Sequence, residues 1–229
     1  KYKGDLLKHQ KFVSRFLSSH TPYNGLLLYH EMGSGKTCSA VATAELIHNQ
    51  DKKFNKAIYI ARGETLINKF IKEVACICTN GKYIPEGEDC KDAKFGAKRD
   101  KISKKVREFY TFYTYDELRK SLKKANNLAE TFSNSIIIVD EVQNIRQKNI
   151  QEEGEEKEYK DFYRNLHQLF HSASNRKILL LSGTPMRDLP KEIVDILNLI
   201  LPLDKQIEII KNFEQDYFNE EETIELKKT

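Results

Sequence analysis

Glycine, lysine and threonine occur in this chain at the spacing of a phosphate-binding loop. Residues 30–37 read His-Glu-Met-Gly-Ser-Gly-Lys-Thr, between an apolar run at 26–29 that predicts a strand and a periodic segment at 35–49 that predicts a helix. A glycine-rich turn at a helix N-terminus points backbone N–H groups at an anion, and the helix dipole favours negative charge there. We expect Lys36 to bind the β- and γ-phosphates of a nucleotide and Thr37 to ligate Mg²⁺. The strand–turn–helix context disfavours the alternative, a turn that binds nothing.

Two adjacent carboxylates follow the most apolar run of the chain. Asp140 and Glu141 come directly after residues 135–139, Ser-Ile-Ile-Ile-Val, which predict a buried strand. Placing two carboxylates there is costly unless a charged partner lies beside them, and a Mg²⁺–nucleotide is such a partner. We expect Asp140 to hold the water shell of the metal and Glu141 to orient the attacking water as a general base. Ligands of open parallel sheets gather at the carboxyl ends of strands, so Thr37 and Asp140 should lie together.

A third apolar run ends in hydroxyl residues. Residues 178–181, Ile-Leu-Leu-Leu, precede Ser182-Gly-Thr184-Pro. We hypothesise that Ser182 and Thr184 hydrogen-bond Glu141 or Gln143 and thereby report whether the γ-phosphate is present. The alternative is a Ser-Gly-Thr-Pro turn that only reverses the chain.

In this order, the three segments resemble motifs I, II and III of superfamily 2 helicases and translocases. Residues 33–37 are similar to the form of motif I that does not need the first glycine of the common P-loop formula. Residues 140–143 resemble the Asp-Glu-x-His/Gln box, and residues 182–184 resemble the Ser-Ala-Thr of motif III. The resemblance spans nearly the whole chain and implies ATP and Mg²⁺ as cofactors.

Weaker likenesses extend the comparison upstream. Gln10 resembles the glutamine of the family's Q-motif, which reads the adenine edge, and residues 58–65 and 112–115 are similar to motifs Ia and Ib, which touch the nucleic-acid backbone. The implied nucleotide-binding residues are Gln10, Met32, Gly33, Ser34, Gly35, Lys36 and Thr37. The implied catalytic residues are Lys36, Asp140, Glu141 and Gln143. Ser182 and Thr184 would couple nucleotide state to motion, and Thr37 and Asp140 would hold Mg²⁺.

The amino-acid sequences of these motifs are most similar to those in proteins of large DNA viruses. Leu-Leu-Tyr-His-Glu-Met-Gly-Ser-Gly-Lys-Thr and Leu-Ser-Gly-Thr-Pro-Met resemble strings in poxvirus-type early transcription factor and nucleoside triphosphate phosphohydrolase I, and in relatives from African swine fever virus and giant viruses. This resemblance implies an ATP hydrolase that acts on nucleic acid, DNA rather than RNA, in viral transcription or replication. It also implies transcription-complex subunits as partners and an intracellular location, in the virion and host cytoplasm.

The alternation of short apolar runs with helical patterns predicts an α/β fold with a mostly parallel sheet and helices on both faces, which the resemblance identifies as a RecA-like P-loop domain. We assign this domain to residues 1–203, with a basic insertion at about 79–105 and a mobile acidic loop at about 146–157. Residues 204–229 are expected to form a helical extension toward a second RecA-like domain. The predicted strands are 26–29, 57–61, 109–114, 135–139 and 178–181. The predicted helices are 7–18, 35–49, 65–76, 115–124, 160–172 and 191–201.

Bulk composition narrows the classes of partner. Hydrophobic residues make up 39% of the 229 residues and charged residues 31%, with a net charge of +4. No apolar run approaches the roughly 20 residues of a membrane-spanning helix, so we expect no membrane partner. Eight basic and two acidic residues fall between 91 and 107. That segment either follows a phosphate backbone or forms a solvated charged face.

The cysteines and a run of aromatic residues each allow two interpretations. Four unevenly spaced cysteines suggest reduced thiols, with Cys38 as a small core residue. Cys76, Cys78 and Cys90 allow a zinc site, although their spacing lacks the paired Cys-x-x-Cys of structural zinc sites. Aromatic side chains at 109–115 could stack on bases, but their strand spacing favours a packed core.

Three functions remain open at this point. The first is a motor that moves along nucleic acid, which by resemblance needs an arginine finger from the second domain, so the chain alone should hydrolyse ATP poorly. The second is a nucleotide-gated transcription-factor subunit in which ATP controls partner and DNA binding. The third is a small-molecule P-loop kinase, which lacks a visible lid and leaves Ser182-Gly-Thr184 unexplained.

Overall fold

The computed structural model describes residues 6–31, 33–86, 97–124, 127–146, 153–186 and 192–208. Five strands form one sheet in the order β1-β5-β4-β2-β3, and every neighbouring pair is parallel. The strands are β1 (Gly25–Tyr29), β2 (Lys56–Ala61), β3 (Tyr110–Thr114), β4 (Ser135–Val139) and β5 (Arg176–Ser182). The helices are α1 (Lys8–Phe16), α2 (Lys36–Gln50), α3 (Glu64–Glu73), α4 (Ala97–Val106), α5 (Tyr115–Lys124), α6 (Leu128–Phe132), α7 (Glu153–Ser172) and α8 (Glu192–Asn198).

The central strand β4 shows why the sheet is covered on both sides. All five of its residues are buried. Ile136 and Ile138 point into a core that contains residues of α2 and α3, whereas Ile137 and Val139 point into a second core with residues of α5 and α7. Successive side chains of a strand face opposite sides of the sheet, so a continuous apolar strand needs a helix layer on each face. The predicted α/β class with helices on both faces is confirmed.

Two local features differ from the sequence prediction. The acidic loop predicted at 146–157 is wrong in its second half, because α7 begins at Glu153. Acidic residues suit the first turn of a helix through its dipole, which explains why this charged segment is helical. Within the predicted insertion at 79–105, residues 97–106 form α4. The remainder of that insertion at 87–96 and most of the predicted final helical stretch, from residue 209 on, lie outside the described residues.

The prediction of reduced thiols is wrong for the three cysteines that the structure describes, Cys38, Cys76 and Cys78. Cys38, in the first turn of α2, forms a disulfide with Cys78 at the end of a π-helix, Val74–Cys78, that continues α3. Cys76 is also disulfide-bonded. A disulfide sulfur is not the thiolate that zinc requires, and no cluster of three or more metal-ligating side chains occurs among the residues described. The structure therefore argues against zinc at Cys76 and Cys78, and Cys90 lies outside the described part.

The aromatic run at the third strand packs into the core. Tyr110 is buried, and its ring meets Phe70 of α3 edge-on at 5.7 Å. Phe112 lies 6.1 Å from both Phe70 and Tyr59, again edge-on. This confirms the core interpretation of these aromatic residues.

Within the described ranges, no helix is long and apolar enough to cross a membrane.

Candidate nucleotide-binding and hydrolysis site

The turn after β1 has the backbone of a phosphate loop. Gly33 and Gly35 have φ angles of +82° and +83°, in the left-handed region that glycine adopts without strain. A Cβ at Gly33 would meet nothing within 4 Å, so the loop is open at that position. A Cβ at Gly35 would lie 2.8 Å from Nε2 of Gln10, so the loop fits closely against α1 there.

Lys36 is folded back over this loop. Its ammonium group donates hydrogen bonds to the carbonyl oxygens of His30 at 2.7 Å and Glu31 at 3.2 Å. Ser34 closes the same turn by donating from its hydroxyl to the Glu31 carbonyl at 2.8 Å. Neutral carbonyls are weaker partners for an ammonium than a phosphate, so a bound anion can displace them. Thr37 lies in the first turn of α2, directly after this lysine.

Helix α1 supports the loop through two side chains. Gln10 accepts a hydrogen bond from the Leu7 amide at 3.0 Å and donates to the Gly35 carbonyl at 3.4 Å. His9 is within hydrogen-bond distance, 3.1 Å, of the Ser34 carbonyl. The side chain proposed from the sequence to read adenine is therefore also a support of the phosphate loop. A carboxamide can make one further bond at each end, so both uses are compatible.

Asp140 stands at the carboxyl end of β4, where one phenol fixes its side chain. The hydroxyl of Tyr59 donates to Oδ2 of Asp140 at 2.5 Å. Burial raises the pKa of the Asp140 carboxyl and the charge of Glu141 raises it further, whereas the Tyr59 hydrogen bond and the charge of Lys36 lower it. The net direction is upward. A carboxylate in this position is destabilised until a cation reaches it.

Glu141 has a left-handed backbone, with φ at +51°. A non-glycine residue in that region costs free energy and needs support from its surroundings. Tyr115 supplies it, because its hydroxyl donates to the carbonyls of Asp140 at 2.7 Å and Glu141 at 3.2 Å. The Asn144 amide donates to the Glu141 carbonyl at 2.8 Å. The turn that presents the two carboxylates is thus held from two sides.

A chain of hydrogen bonds connects Glu141 with the end of β5. Gln143 donates from Nε2 to Oε2 of Glu141 at 2.5 Å, and Ser182 donates to Oε1 of Gln143 at 2.6 Å. The backbone amide of Thr184 then donates to Oγ of Ser182 at 3.1 Å. Ser182 is fully buried and Gln143 is 7% exposed. Thr184 therefore joins this chain through its backbone.

The strand order brings these groups together. β5 lies between β1 and β4, so the loop after β1 and the carboxylates after β4 flank the end of β5. The His30 amide donates to the Ser182 carbonyl at 3.3 Å across that edge. A magnesium ion would fit the donors present, because it prefers hard oxygen ligands, and Thr37 offers a hydroxyl and Asp140 a partly buried carboxylate.

All but one of the sequence-predicted site residues fall in this region, and Met32 lies outside the described residues. Sequence reasoning placed Tyr59 and Tyr115 in the segments similar to motifs Ia and Ib but missed their contacts with Asp140 and Glu141, and it gave His9 no role. Tyr59 pairs with Ile138 in the sheet register, two residues before Asp140 on the same face. That alternation could have indicated the contact between Tyr59 and Asp140, but only with the strand order known.

Comparison with known proteins identifies a matching family and viral relatives. Residues 3–187 match the family described as "Type III restriction enzyme, res subunit" (ResIII). The chain is 42% identical over 224 residues to "Putative helicase 087L" of Invertebrate iridescent virus 3, an alignment that covers 93% of this chain and 22% of that protein. It is 25% identical over 222 residues to "Nucleoside triphosphatase I" of Choristoneura biennis entomopoxvirus, covering 97% of this chain and 30% of that protein.

A solved structure shares the fold. The "Sulfolobus solfataricus SWI2/SNF2 ATPase core in complex with dsDNA" superposes with a TM-score of 0.58 at 20% sequence identity, covering 99% of this chain and 43% of that one.

The chain spans less than a third of the length of either viral relative. Because the family match covers residues 3–187 and the sheet brings its three motifs to adjoining strand ends, the chain belongs to the ResIII family and is a RecA-like, nucleotide-binding domain of the superfamily 2 type.

Proposed function

We propose that this chain is the first motor domain of a DNA-dependent ATPase that translocates on, or unwinds, nucleic acid in viral transcription or replication. One observation carries the proposal: the phosphate loop and the Asp140–Glu141 pair flank the same strand end. Lys36 of that loop is close enough for its charge to oppose the rise that burial imposes on the pKa of Asp140. The relatives are viral proteins, and the proposal includes the virion and the host cytoplasm as the location.

Each residue then has a defined task. Lys36 exchanges the carbonyls of His30 and Glu31 for the β- and γ-phosphates of ATP. Thr37 and Asp140 hold Mg²⁺, which neutralises phosphate charge when bound. Glu141 orients the attacking water and accepts its proton.

The remaining groups couple this chemistry to motion. Gln143 contacts Glu141, and Ser182 contacts Gln143, so displacement of Glu141 by an incoming nucleotide is transmitted to the end of β5. The exposed Thr184 lies at the far end of that chain of bonds. We propose that a second RecA-like domain docks on this side and supplies the cation that completes the site.

Two substitutions test the chemical assignment. Lys36→Ala should lower the ATPase rate about 100-fold or more, because it removes the cation at the phosphates. Glu141→Gln should retain ATP while lowering turnover by about 10²- to 10⁴-fold, because it removes the general base. The rates are measured on the parent protein, with Lys53→Ala, an exposed lysine after α2, as the matched control for lost charge. Turnover of the Glu141→Gln enzyme at the wild-type rate would exclude Glu141 as the base.

Stimulation of the ATPase by nucleic acid distinguishes the proposed motor from the alternative, a nucleotide-gated transcription-factor subunit. ATPase activity of the parent protein is measured alone and with single-stranded DNA, double-stranded DNA or RNA. A motor that acts on DNA should respond most strongly to one of the two DNA forms. A nucleotide-gated transcription-factor subunit should bind DNA in an ATP-dependent manner with little change in turnover, and that result would favour the rival.

A further inference from the structure

Tyr59 contacts the candidate site from the neighbouring strand. It lies on β2, which pairs with β4, and its register partner is Ile138. Asp140 follows two residues later, so its side chain leaves the sheet on the same face as Ile138 and Tyr59. This is the face that carries α2 and the phosphate loop. The phenol thus reaches Oδ2 of Asp140 at 2.5 Å across the sheet.

The ring of Tyr59 is held rigidly. It stacks on Phe70 of α3 with ring centroids 3.8 Å apart, and Phe112 meets it edge-on at 6.1 Å. Only 2% of the residue is exposed. The hydroxyl therefore donates to Asp140 from a fixed position.

A single hydrogen bond can orient a carboxylate. The Asp140 side chain has two oxygens that exchange places by rotation about its last torsion, which is a soft one. A donor fixed against Oδ2 stops that rotation and leaves the other oxygen at a defined place. Partners that orient a metal ligand in this way usually contribute about 10- to 100-fold to metal affinity.

We propose that Tyr59 is a positioning residue that fixes the Asp140 carboxylate and so sets the affinity of the site for magnesium in the nucleotide complex. This inference rests on the proposed function, because it needs magnesium–nucleotide at Asp140. Tyr115 acts differently, since its hydroxyl contacts the backbone carbonyls of Asp140 and Glu141 and not the carboxylate.

The chain offers a matched control in Tyr110. This residue is 1% exposed, belongs to the same core and donates from its hydroxyl to a carboxylate, Oε1 of Glu45, at 3.1 Å. Glu45 lies in the interior of α2, away from the phosphate loop at its start. Tyr110→Phe therefore repeats the chemical change of Tyr59→Phe, a lost phenol–carboxylate bond with the ring retained, outside the site.

The test measures binding of a fluorescent ADP analogue to the 229-residue chain in excess magnesium and in EDTA. The ratio of the two dissociation constants is the gain in affinity due to magnesium, and it does not depend on turnover. Tyr59→Phe should reduce this gain about 10- to 100-fold and leave the affinity in EDTA unchanged. Tyr110→Phe should match the wild type. Phe70→Leu, which keeps the hydroxyl but removes the stacked ring, should reduce the gain partially.

Each result has one meaning. A Tyr59→Phe chain with the wild-type gain would overturn the inference. Equal loss of affinity with and without magnesium would also overturn it, because that pattern indicates a general structural defect. A wild-type chain that binds no nucleotide in either condition would instead refute the proposed function.

Discussion

At the scale of single residues, Ser182 contributes to the site through a side chain and Thr184 through its backbone. The Ser182 hydroxyl donates to Gln143 and accepts from the Thr184 amide, in a fully buried position. The two residues share one sequence motif, yet the structure gives their hydroxyls unequal importance. Of these two hydroxyls, only that of Ser182 takes part in the hydrogen bonds that lead to Glu141.

This difference yields a prediction for the parent protein. Ser182→Ala should reduce stimulation of the ATPase by nucleic acid about fivefold or more, since a lost buried hydrogen bond costs about 1–3 kcal/mol. Thr184→Ala should have a much smaller effect, because the amide that contacts Ser182 is retained. The measurement is the ratio of stimulated to basal turnover for each variant. Equal losses in both variants would show that the Thr184 hydroxyl has its own task.

The sequence indicated the candidate residues of the site more directly than the residues that support them. Lys36, Asp140 and Glu141 follow from charge and position after apolar strands, because burying such groups demands a ligand. Tyr59 and Tyr115 carry no such signal, since an aromatic residue in a strand or directly after one is explained equally well by core packing. Their role depends on which strands are neighbours, and that order is a property of the whole sheet.

At the scale of elements, the predicted strands and most helices are confirmed within a few residues. Residues 135–139 coincide with β4, and residues 115–124 coincide with α5. The misses have physical causes. The π-helix Val74–Cys78 continues a predicted helix with a different hydrogen-bond pattern, and a disulfide holds its end. Hydrophobic periodicity does not separate an α-helix from its π-helical continuation, and it gives no information on a bond formed by two distant cysteines.

Helix α5 begins with a capping box that also serves the site. The Thr114 hydroxyl accepts a hydrogen bond from the Glu117 amide at 3.2 Å, and Oε2 of Glu117 accepts one from the Thr114 amide at 2.8 Å. Tyr115, which supports the carbonyls of Asp140 and Glu141, is the first residue of this helix. The cap therefore fixes the position of Tyr115, which provides that support.

Loss of the cap should destabilise the domain in a pH-dependent way. The hydrogen bonds from Thr114 lower the pKa of Glu117 below its ordinary value of 4.5. A folded-state pKa below the unfolded one gives stability that is present above the unfolded value and lost as pH falls through the folded value. Thr114→Ala should cost about 1 kcal/mol. Glu117→Gln should cost less, with its cost shrinking as pH falls below 4.5.

Urea denaturation across that pH range measures both effects. Asp116→Asn is the control, because Asp116 also lies in the first turn of α5 but has a side chain that is 76% exposed and 3.6 Å from Arg119. It removes the same charge from the helix N-terminus without removing a cap. Equal cost for Asp116→Asn and Glu117→Gln would mean that the helix dipole, and not the capping box, is responsible.

The disulfide between Cys38 and Cys78 should stabilise the fold by restricting the unfolded chain. It closes a loop with a sequence separation of 40 residues, for which chain entropy gives about 4 kcal/mol as an upper value. Cys38→Ser and Cys78→Ser should each lower the unfolding temperature by the same several degrees. The double variant should be no less stable than either single one. Thermal unfolding of the oxidised proteins tests this, and additive losses would show that the two cysteines act independently.

At the scale of the whole molecule, the candidate site lies at the carboxyl ends of the strands. A separate set of polar contacts holds the last residues that the structure describes. Asn198 of α8 exchanges hydrogen bonds with the backbone of Ile207, at 2.8 and 2.9 Å. Gln206 donates to the Asn198 carbonyl at 2.9 Å and lies 3.0 Å from His167 of α7. These bonds hold Gln206 and Ile207 against α7 and α8.

The last prediction concerns what the proposed second domain contributes. This chain spans 22% of one viral relative and 30% of another, and the proposed motor needs a cation from outside the described site. Such a cation is worth about 10³-fold or more in related phosphoryl transfer. The 229-residue chain should therefore bind a magnesium–nucleotide but hydrolyse it about 10³-fold more slowly than the parent protein. Single-turnover hydrolysis at saturating protein measures the chemical step for both and removes any difference in affinity. Equal single-turnover rates would show that this domain carries a complete active site, and the role of a second domain would then be confined to movement on nucleic acid.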